Sequence, residues 1–475
     1  MTERGPEKVN PSAILAVLAL GGGAYALLQS LVVPALPVLQ HDLHTTTSGV
    51  AWVFTTYLIA ASVVTPIAGR LGDMFGKRRV LVIALSGLAF GSVMAALVTT
   101  LPLMIVARTI QGLAGAIFPL AFGIIRDEFP RQRIAGAIAL MSGIIGIGGG
   151  LGIVLAGPIL ENLSYHWLFW IPAAAALVSV VATIVIVPES PIRAPGHVHW
   201  LGAFLLTGWL VALLLGVSQA PTWGWGSTKT LGLFSLAAVL AVLWVLAEHR
   251  NAHPLVDMRM MRLKGVWTVN LTTLLVGFGM YSSFVLIPQY VQSPTSTGYG
   301  FGASVTEAGL YLLPSTIAMM VFSPLGGRLS GSVGSKVPLV LGTAFAGASF
   351  VLLAVSGSSA SVYAASTLLG MGVGFAFAAM ANLIVQAVRA DETGVATGMN
   401  TIVRTIGGAI GAEVAASILA ANTLASGYPD QHGYTLVFTL LAGVLGLGVC
   451  ASLLVPGGVV RAARTQAPAP ASVTE

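Results

Sequence analysis

Residues 69–79, GRLGDMFGKRR, gather five charged side chains (Arg70, Asp73, Lys77, Arg78 and Arg79) in a chain that is only 8% charged. Their chemistry is ion pairing and the capping of helix ends. Asp73 lies near the start of the next apolar run, where a helix dipole favours a carboxylate. Gly69, Gly72 and Gly76 let backbones approach closely. Arg108 and Gln111, three apart, share one helix face in an apolar run. A guanidinium in hydrocarbon must face a cavity or a partner, or snorkel to the interface; Arg108 lies about 9 Å from the end of its run at 1.5 Å per residue. Glu413 lies about 15 Å from the nearer end of its run, too deep for a short side chain to snorkel. It suits a proton carrier or a cation contact, or else a neutral acid hydrogen-bonded between helices. Arg404 is placed about 8 Å inside the opposite end, within snorkelling reach. Nine residues separate it from Glu413, which puts the two on opposite sides of one helix. Gln29, Tyr57, Tyr281, Gln289, Asn382 and Gln386, together with Gln111, are candidates to line a cavity, or for interhelical hydrogen bonding. Asn382 and Gln386 share a face.

Other chemistries find little support. One cysteine, Cys450, allows neither an internal disulfide nor a cysteine metal site. His197 and His199 stand without further ligands beside them, so no metal and no cofactor are expected. No Gly-x4-Gly-Lys-Ser/Thr phosphate loop occurs, and no loop is long enough for an ATPase domain, so neither a pump nor an enzyme is expected.

The elements that position these residues are apolar runs. The 475 residues are 56% hydrophobic, which with so little charge reads as an all-α polytopic membrane protein. The net charge of +6 sits in loops and is no sign of nucleic-acid binding. Fourteen spans are expected, near 12–37, 48–69, 80–100, 102–124, 136–160, 167–188, 200–220, 229–247, 265–292, 307–327, 337–356, 359–388, 399–423 and 432–456. The first is read as a retained span and not as a signal peptide. Of the 22 lysines and arginines, all but Lys229, Arg108 and Arg404 then fall on one side, which predicts that both termini are cytoplasmic. The expected organisation is a tail over 1–11, a six-helix half over 12–188, two inserted spans with a linker over 189–264, a second half over 265–456 and a tail over 457–475.

The halves carry a repeat. Gly69-Arg70-Leu71 recurs as Gly327-Arg328-Leu329 at an offset of 258 residues, and at that offset Gly76 meets Gly334 and Gly136 meets Gly394. Parallel halves about an axis along the membrane normal are a transporter arrangement, with the substrate path between them. The second copy of the charged loop is degenerate: Gly331 replaces Asp73 and Ser335 replaces Lys77.

Gly69, Leu71, Gly72, Asp73, Gly76, Lys77 and Arg78 fill the loop signature of the major facilitator superfamily, which the chain resembles. Arg108-x-x-Gln111-Gly112 is similar to the superfamily's fourth-span signature. Ala35-Leu36-Pro37, Trp223-Gly224-Trp225, His253-Pro254-Leu255 and Arg404 with Gly407-Gly408 resemble its 14-span drug:proton antiporter branch. Two departures stand out. Leu28 falls where those relatives carry an acid, with Gln29 the nearest polar side chain. In the glycine-rich fifth span the usual Gly-Pro pair falls on Gly152-Ile153, and His166 stands where relatives usually carry Arg.

The resemblance implies a secondary active transporter of the cell membrane, exchanging lipophilic small molecules for protons by alternating access. Gly69, Arg70, Asp73, Gly76, Lys77 and Arg78 would form a gating loop, and Arg108 and Glu413 would couple protonation to transport. The expected partners are a small-molecule substrate, protons and the lipid bilayer, with a monomer as the expected assembly. A proton-coupled uptake carrier or a metabolite exporter on the same fold is the alternative, since fold alone does not choose the substrate.

Overall fold

The computed structural model describes residues 10–190, 199–424 and 427–457. Most of both expected tails lies outside the described residues, as do Arg193 and His197.

Among the described residues, 14 helices are long and apolar enough to cross a bilayer. Spans 1 to 6 are Pro11–Leu36, Trp52–Phe75, Lys77–Leu97, Leu101–Glu128, Arg131–Asn162 and Trp167–Ile186. Spans 7 and 8 are Trp200–Trp223 and Thr228–Arg250. Spans 9 to 14 are Lys264–Gln292, Val305–Val333, Lys336–Val355, Ser359–Ala387, Ala390–Ala421 and Gln431–Leu453. Backbone polar groups must be satisfied within each span in lipid, which is why helices alone cross here.

Local sequence sets the ends. The Ser304 side chain accepts from the N–H of Glu307 at 3.2 Å while Glu307 accepts from the Ser304 N–H at 2.8 Å, a reciprocal cap that starts span 10. Span 2 ends at Gly76 (φ 111°) and span 10 at Gly334 (φ 92°), a left-handed backbone that favours glycine. These two glycines are equivalent under the 258-residue offset. Span 4 is interrupted by a tight 3-10 segment, Gly112–Ala116. A Cβ on Gly112 or Gly115 would press on the backbone of span 2 at Ala60 and Ala61, so the glycines allow that packing.

The packing repeats. Span 1 packs on 5 and 6, span 3 on 4 and 6, and span 2 on 4. Eight spans later, 9 packs on 13 and 14, 11 on 12 and 14, and 10 on 12. The two sets meet reciprocally, with span 2 against 13 and span 5 against 10. The glycine repeat lies in these joints. Gly69 approaches Gly394, and Gly327 approaches Gly136, each pair being the other shifted by 258 residues. Spans 7 and 8 pack on each other, and span 7 also rests on spans 2 and 13.

Span 13 departs from expectation. Its helix runs Thr393–Ala421, six residues earlier than the apolar pattern indicates. The early turns are broken by Thr393, Thr397 and Asn400 and by two glycines, yet Thr393 to Asn400 are all enclosed. Arg404 is thereby eleven residues into the helix, about 16 Å from its start at 1.5 Å per residue. It is a mid-helix charge, not one near the end.

Candidate functional site

The charged loop closes one end of the molecule. Asp73 lies in the last turn of span 2, not at the start of the following helix, and the helix it caps belongs to the other set of six. Its carboxylate accepts the N–H groups of Gly394 at 3.1 Å and Val395 at 3.3 Å. Both belong to the first turn of the span 13 helix, where backbone donors lack intrahelical partners and the dipole favours an anion. Asp73 and Lys77 are fully buried. The Lys77 ammonium stands 3.5 Å from Asp73 and 2.7 Å from Asp127 at the end of span 4, so each buried carboxylate has a cation.

Arg126, unnoticed in the sequence because its loop position looks like any basic anchor, completes this end. Its guanidinium donates to the Val388 carbonyl at 2.8 Å, the Arg389 carbonyl at 2.9 Å and the Thr393 hydroxyl at 2.6 Å. Asp73 therefore takes the free N–H groups that start span 13, and Arg126 takes the free carbonyls that end span 12. Gly69 is required for this approach: a Cβ there would lie 2.6 Å from the Gly394 carbonyl oxygen.

Arg78 and Arg79 point elsewhere. The Arg78 N–H donates to Glu189 at 3.2 Å and its guanidinium to the Ile184 carbonyl at 2.5 Å, while Arg79 stands 3.5 Å from Glu189, tying the loop to the end of span 6. Arg70 lines a cavity of about 270 Å³ with His253, Asp257, Arg389, Asp391 and Glu392. At its rim Arg389 forms a two-pronged pair with Asp391 at 3.0 and 2.5 Å, and that hydrogen bond holds the guanidinium above its ordinary pKa.

Arg108 is fully buried. It donates to the Val53 carbonyl of span 2 at 2.8 Å and to Gln111 at 2.8 Å, and Gln111 donates to Ser92 of span 3 at 3.1 Å. The guanidinium lies 4.2 Å over the Tyr57 ring, and one terminal nitrogen has no hydrogen-bond partner. Gln111 thus serves Arg108 and does not face open space. Tyr57 packs on Tyr25, ring centres 6.2 Å apart, and Tyr25 on Phe118 at 5.8 Å. Tyr25 is also within electrostatic reach of Tyr281 and Arg404, so this cluster spans both sets of helices.

Arg404 is 9% exposed, with its guanidinium 4.7 Å over the Phe377 ring. It does not snorkel. Tyr281 packs on Phe284 and against Gly408, one turn beyond Arg404. Glu413 is half-buried, and among the described residues its side chain makes no hydrogen bond or ion pair. Nothing joins it to Arg108.

The remaining candidates separate. Asn382 is buried and donates to the Ala378 carbonyl at 2.8 Å and to Ala135 of span 5 at 3.2 Å, an interhelical bond. Gln386 and Gln289 are exposed, and Gln29 is half-buried. Leu28, at the position of the missing acid, is fully buried. His199 hydrogen-bonds to buried Glu248 at 3.1 Å, and no metal-binding cluster occurs among the described residues. One polar cluster escaped sequence reading. Asn400 donates to Asn270 and to Thr273 of span 9, both at 2.8 Å; single polar residues in two distant spans give no spacing signal.

A family model described as the Major Facilitator Superfamily matches residues 18–412. The tetracenomycin C resistance and export protein of Streptomyces glaucescens is 30% identical over 82% of this chain and 72% of its own length. The multidrug resistance protein Stp of Mycobacterium tuberculosis is 29% identical over 82% of this chain and 73% of its own. An uncharacterized transporter of the same organism is 29% identical, with 56% of its length covered. The crystal structure of the human organic anion transporter MFSD10 superposes with a TM-score of 0.67 at 16% identity, over 94% of this chain and 100% of that one, a likeness of fold alone.

Proposed function

The chain belongs to the Major Facilitator Superfamily of membrane transporters, and from that membership we propose that it exports lipophilic small molecules from the cell in exchange for protons. Residues 12–188 and 265–456 act as two halves that rock about their joints, and 189–264 carry the inserted pair. The protein sits in the cell membrane as a monomer with both termini cytoplasmic, in keeping with the one-sided basic loops. The observation that carries this reading is the closure of the basic end, where Asp73 caps span 13 and Arg126 grips the turn before it. A closure built from a few polar contacts between two sets of helices is one that can open. The names of the relatives, a tetracenomycin C exporter and a multidrug resistance protein, support outward transport of drug-like molecules.

Glu413 carries the proton, as a carboxyl within a span and without a fixed partner. Arg108 supplies a fixed charge that the cycle works against, held by Val53, Gln111 and Tyr57. The test is transport in proteoliposomes under an imposed pH gradient, with a panel of lipophilic dyes. Dye movement that follows the gradient in the wild type, and loses that drive in Glu413→Gln while dye still binds, is the expected result. Equal dye movement with and without a gradient in both proteins overturns proton coupling.

A further inference from the structure

We propose that Arg404 is the contact for an anionic group of the transported molecule, so that the substrates are lipophilic anions. The inference rests on the transporter reading above and narrows it.

An unpaired buried charge is costly, and a fold that keeps one must recover the cost elsewhere. The other buried cations, Lys77 and Arg108, and the half-buried Arg126 are compensated. Lys77 lies between two carboxylates, Arg126 has three oxygen acceptors, and Arg108 has a carbonyl and an amide. Arg404 has none: among the described residues its guanidinium makes no hydrogen bond and no ion pair, and its Nε is enclosed without a partner. Phe377 covers one of its faces. The backbone at Arg404 is held close to span 9, where a Cβ on Gly277 would collide with its carbonyl. A fixed, mid-helix guanidinium with unused donors is built to meet an acceptor brought from outside.

The surroundings fit an anion with an apolar body. Tyr25 packs against Tyr57, over which Arg108 sits with a terminal nitrogen unpaired. Among the described residues neither Arg108 nor Arg404 forms a salt bridge. The acid that would suit a cation is absent, since Leu28 occupies its position and is fully buried. Glu413 is nine residues from Arg404 and faces the other side of the helix. Half-buried Tyr281, against Gly408 one turn on from Arg404, offers a ring surface for an apolar body.

Naphthalene-2-sulfonate and 2-naphthyltrimethylammonium share an apolar ring system and differ in the sign of charge, and the sulfonate carries oxygen acceptors for a guanidinium. Binding of each is measured on the purified full-length protein in detergent. The wild type is expected to bind the sulfonate about tenfold more tightly, or better, the range for a charge-assisted hydrogen bond. Arg404→Gln is expected to abolish that preference and Arg404→Lys to retain part of it. Equal binding of both ions by the wild type overturns the proposal without any variant, and so does a preference that survives in a folded Arg404→Gln protein. Proteoliposome transport separates the two readings. Preferential sulfonate binding with no transport of either ion or any dye under a gradient sinks the transporter reading and leaves the anion site standing. Gradient-driven dye transport with the ammonium ion bound as tightly as the sulfonate sinks the anion site alone.

Discussion

Asp73 does two jobs with one carboxylate: it caps the first turn of span 13 and pairs with Lys77. Asp73→Asn keeps an acceptor oxygen but loses the charge, which weakens closure of the basic end by about 2 kcal/mol, the worth of a charged hydrogen bond. Ala396 is buried just beyond the cap. A cysteine placed there, with Cys450 replaced by serine, is expected to react with maleimide more than tenfold faster (about 2 kcal/mol) in Asp73→Asn than in the parent; equal rates refute the latch. Lys77→Met leaves Asp73 and Asp127 facing each other without a cation. It is expected to destabilise the protein by about 3–5 kcal/mol, the cost of stranding a buried charge. An unchanged thermal unfolding midpoint contradicts that. The importance of Asp73 and Lys77 was legible from their density in an uncharged chain. Their partners were not, because Gly394, Val395 and Asp127 come near them only through tertiary packing.

Between helices, small residues decide how near two spans can lie. Gly69→Ala puts a methyl group against the Gly394 carbonyl, and a backbone cannot swing aside as a side chain can. The closed joint is expected to lose about 1–3 kcal/mol, as for overpacking elsewhere, and gradient-driven transport is expected to fall. Gly136 provides the control, because a Cβ there meets nothing within 4 Å. Gly136→Ala is expected to stay within about 0.5 kcal/mol of wild type in stability and to transport normally. If both variants transport alike, close approach at Gly69 is not limiting. Span positions were legible because hydrocarbon thickness imposes a long apolar run. The start of span 13 was not. Residues 393–398, with Thr393 and Thr397 among them, fall before the long apolar run, and their burial depends on a carboxylate and a guanidinium from span 2 and span 4. That single displacement moved Arg404 from an interfacial anchor to the middle of a helix.

Over the whole molecule, the repeat was legible in a few glycines, and the reciprocal joints explain why glycines carry it: they mark where one set of helices touches the other. The inserted pair is secured differently. Glu248 is 1% exposed and accepts from the Val256 N–H at 3.2 Å as well as bonding His199 at 3.1 Å, so one carboxylate joins spans 7 and 8 to the linker. Glu248→Leu is expected to free that linker. In inside-out vesicles trypsin should then cut at Arg250, Arg259 or Arg262 faster than in wild type, and unchanged cleavage refutes the tie. No spacing in the sequence links Glu248 to His199, since they sit at matching ends of neighbouring helices.

The carboxylate that caps span 13 has no counterpart in the second copy, where Gly331 meets nothing within 4 Å. Both copies of the loop lie at the same, basic end, so that end is bolted from one half only. In the proposed orientation, an empty molecule held by that bolt is expected to idle with its binding chamber turned to the exterior. A blocking compound added to intact cells would then find its target without first entering them. Cells relying on this carrier would be sensitised by molecules too polar to cross the membrane, and Asp73→Asn would blunt that sensitivity from outside even where the chamber itself is unaltered.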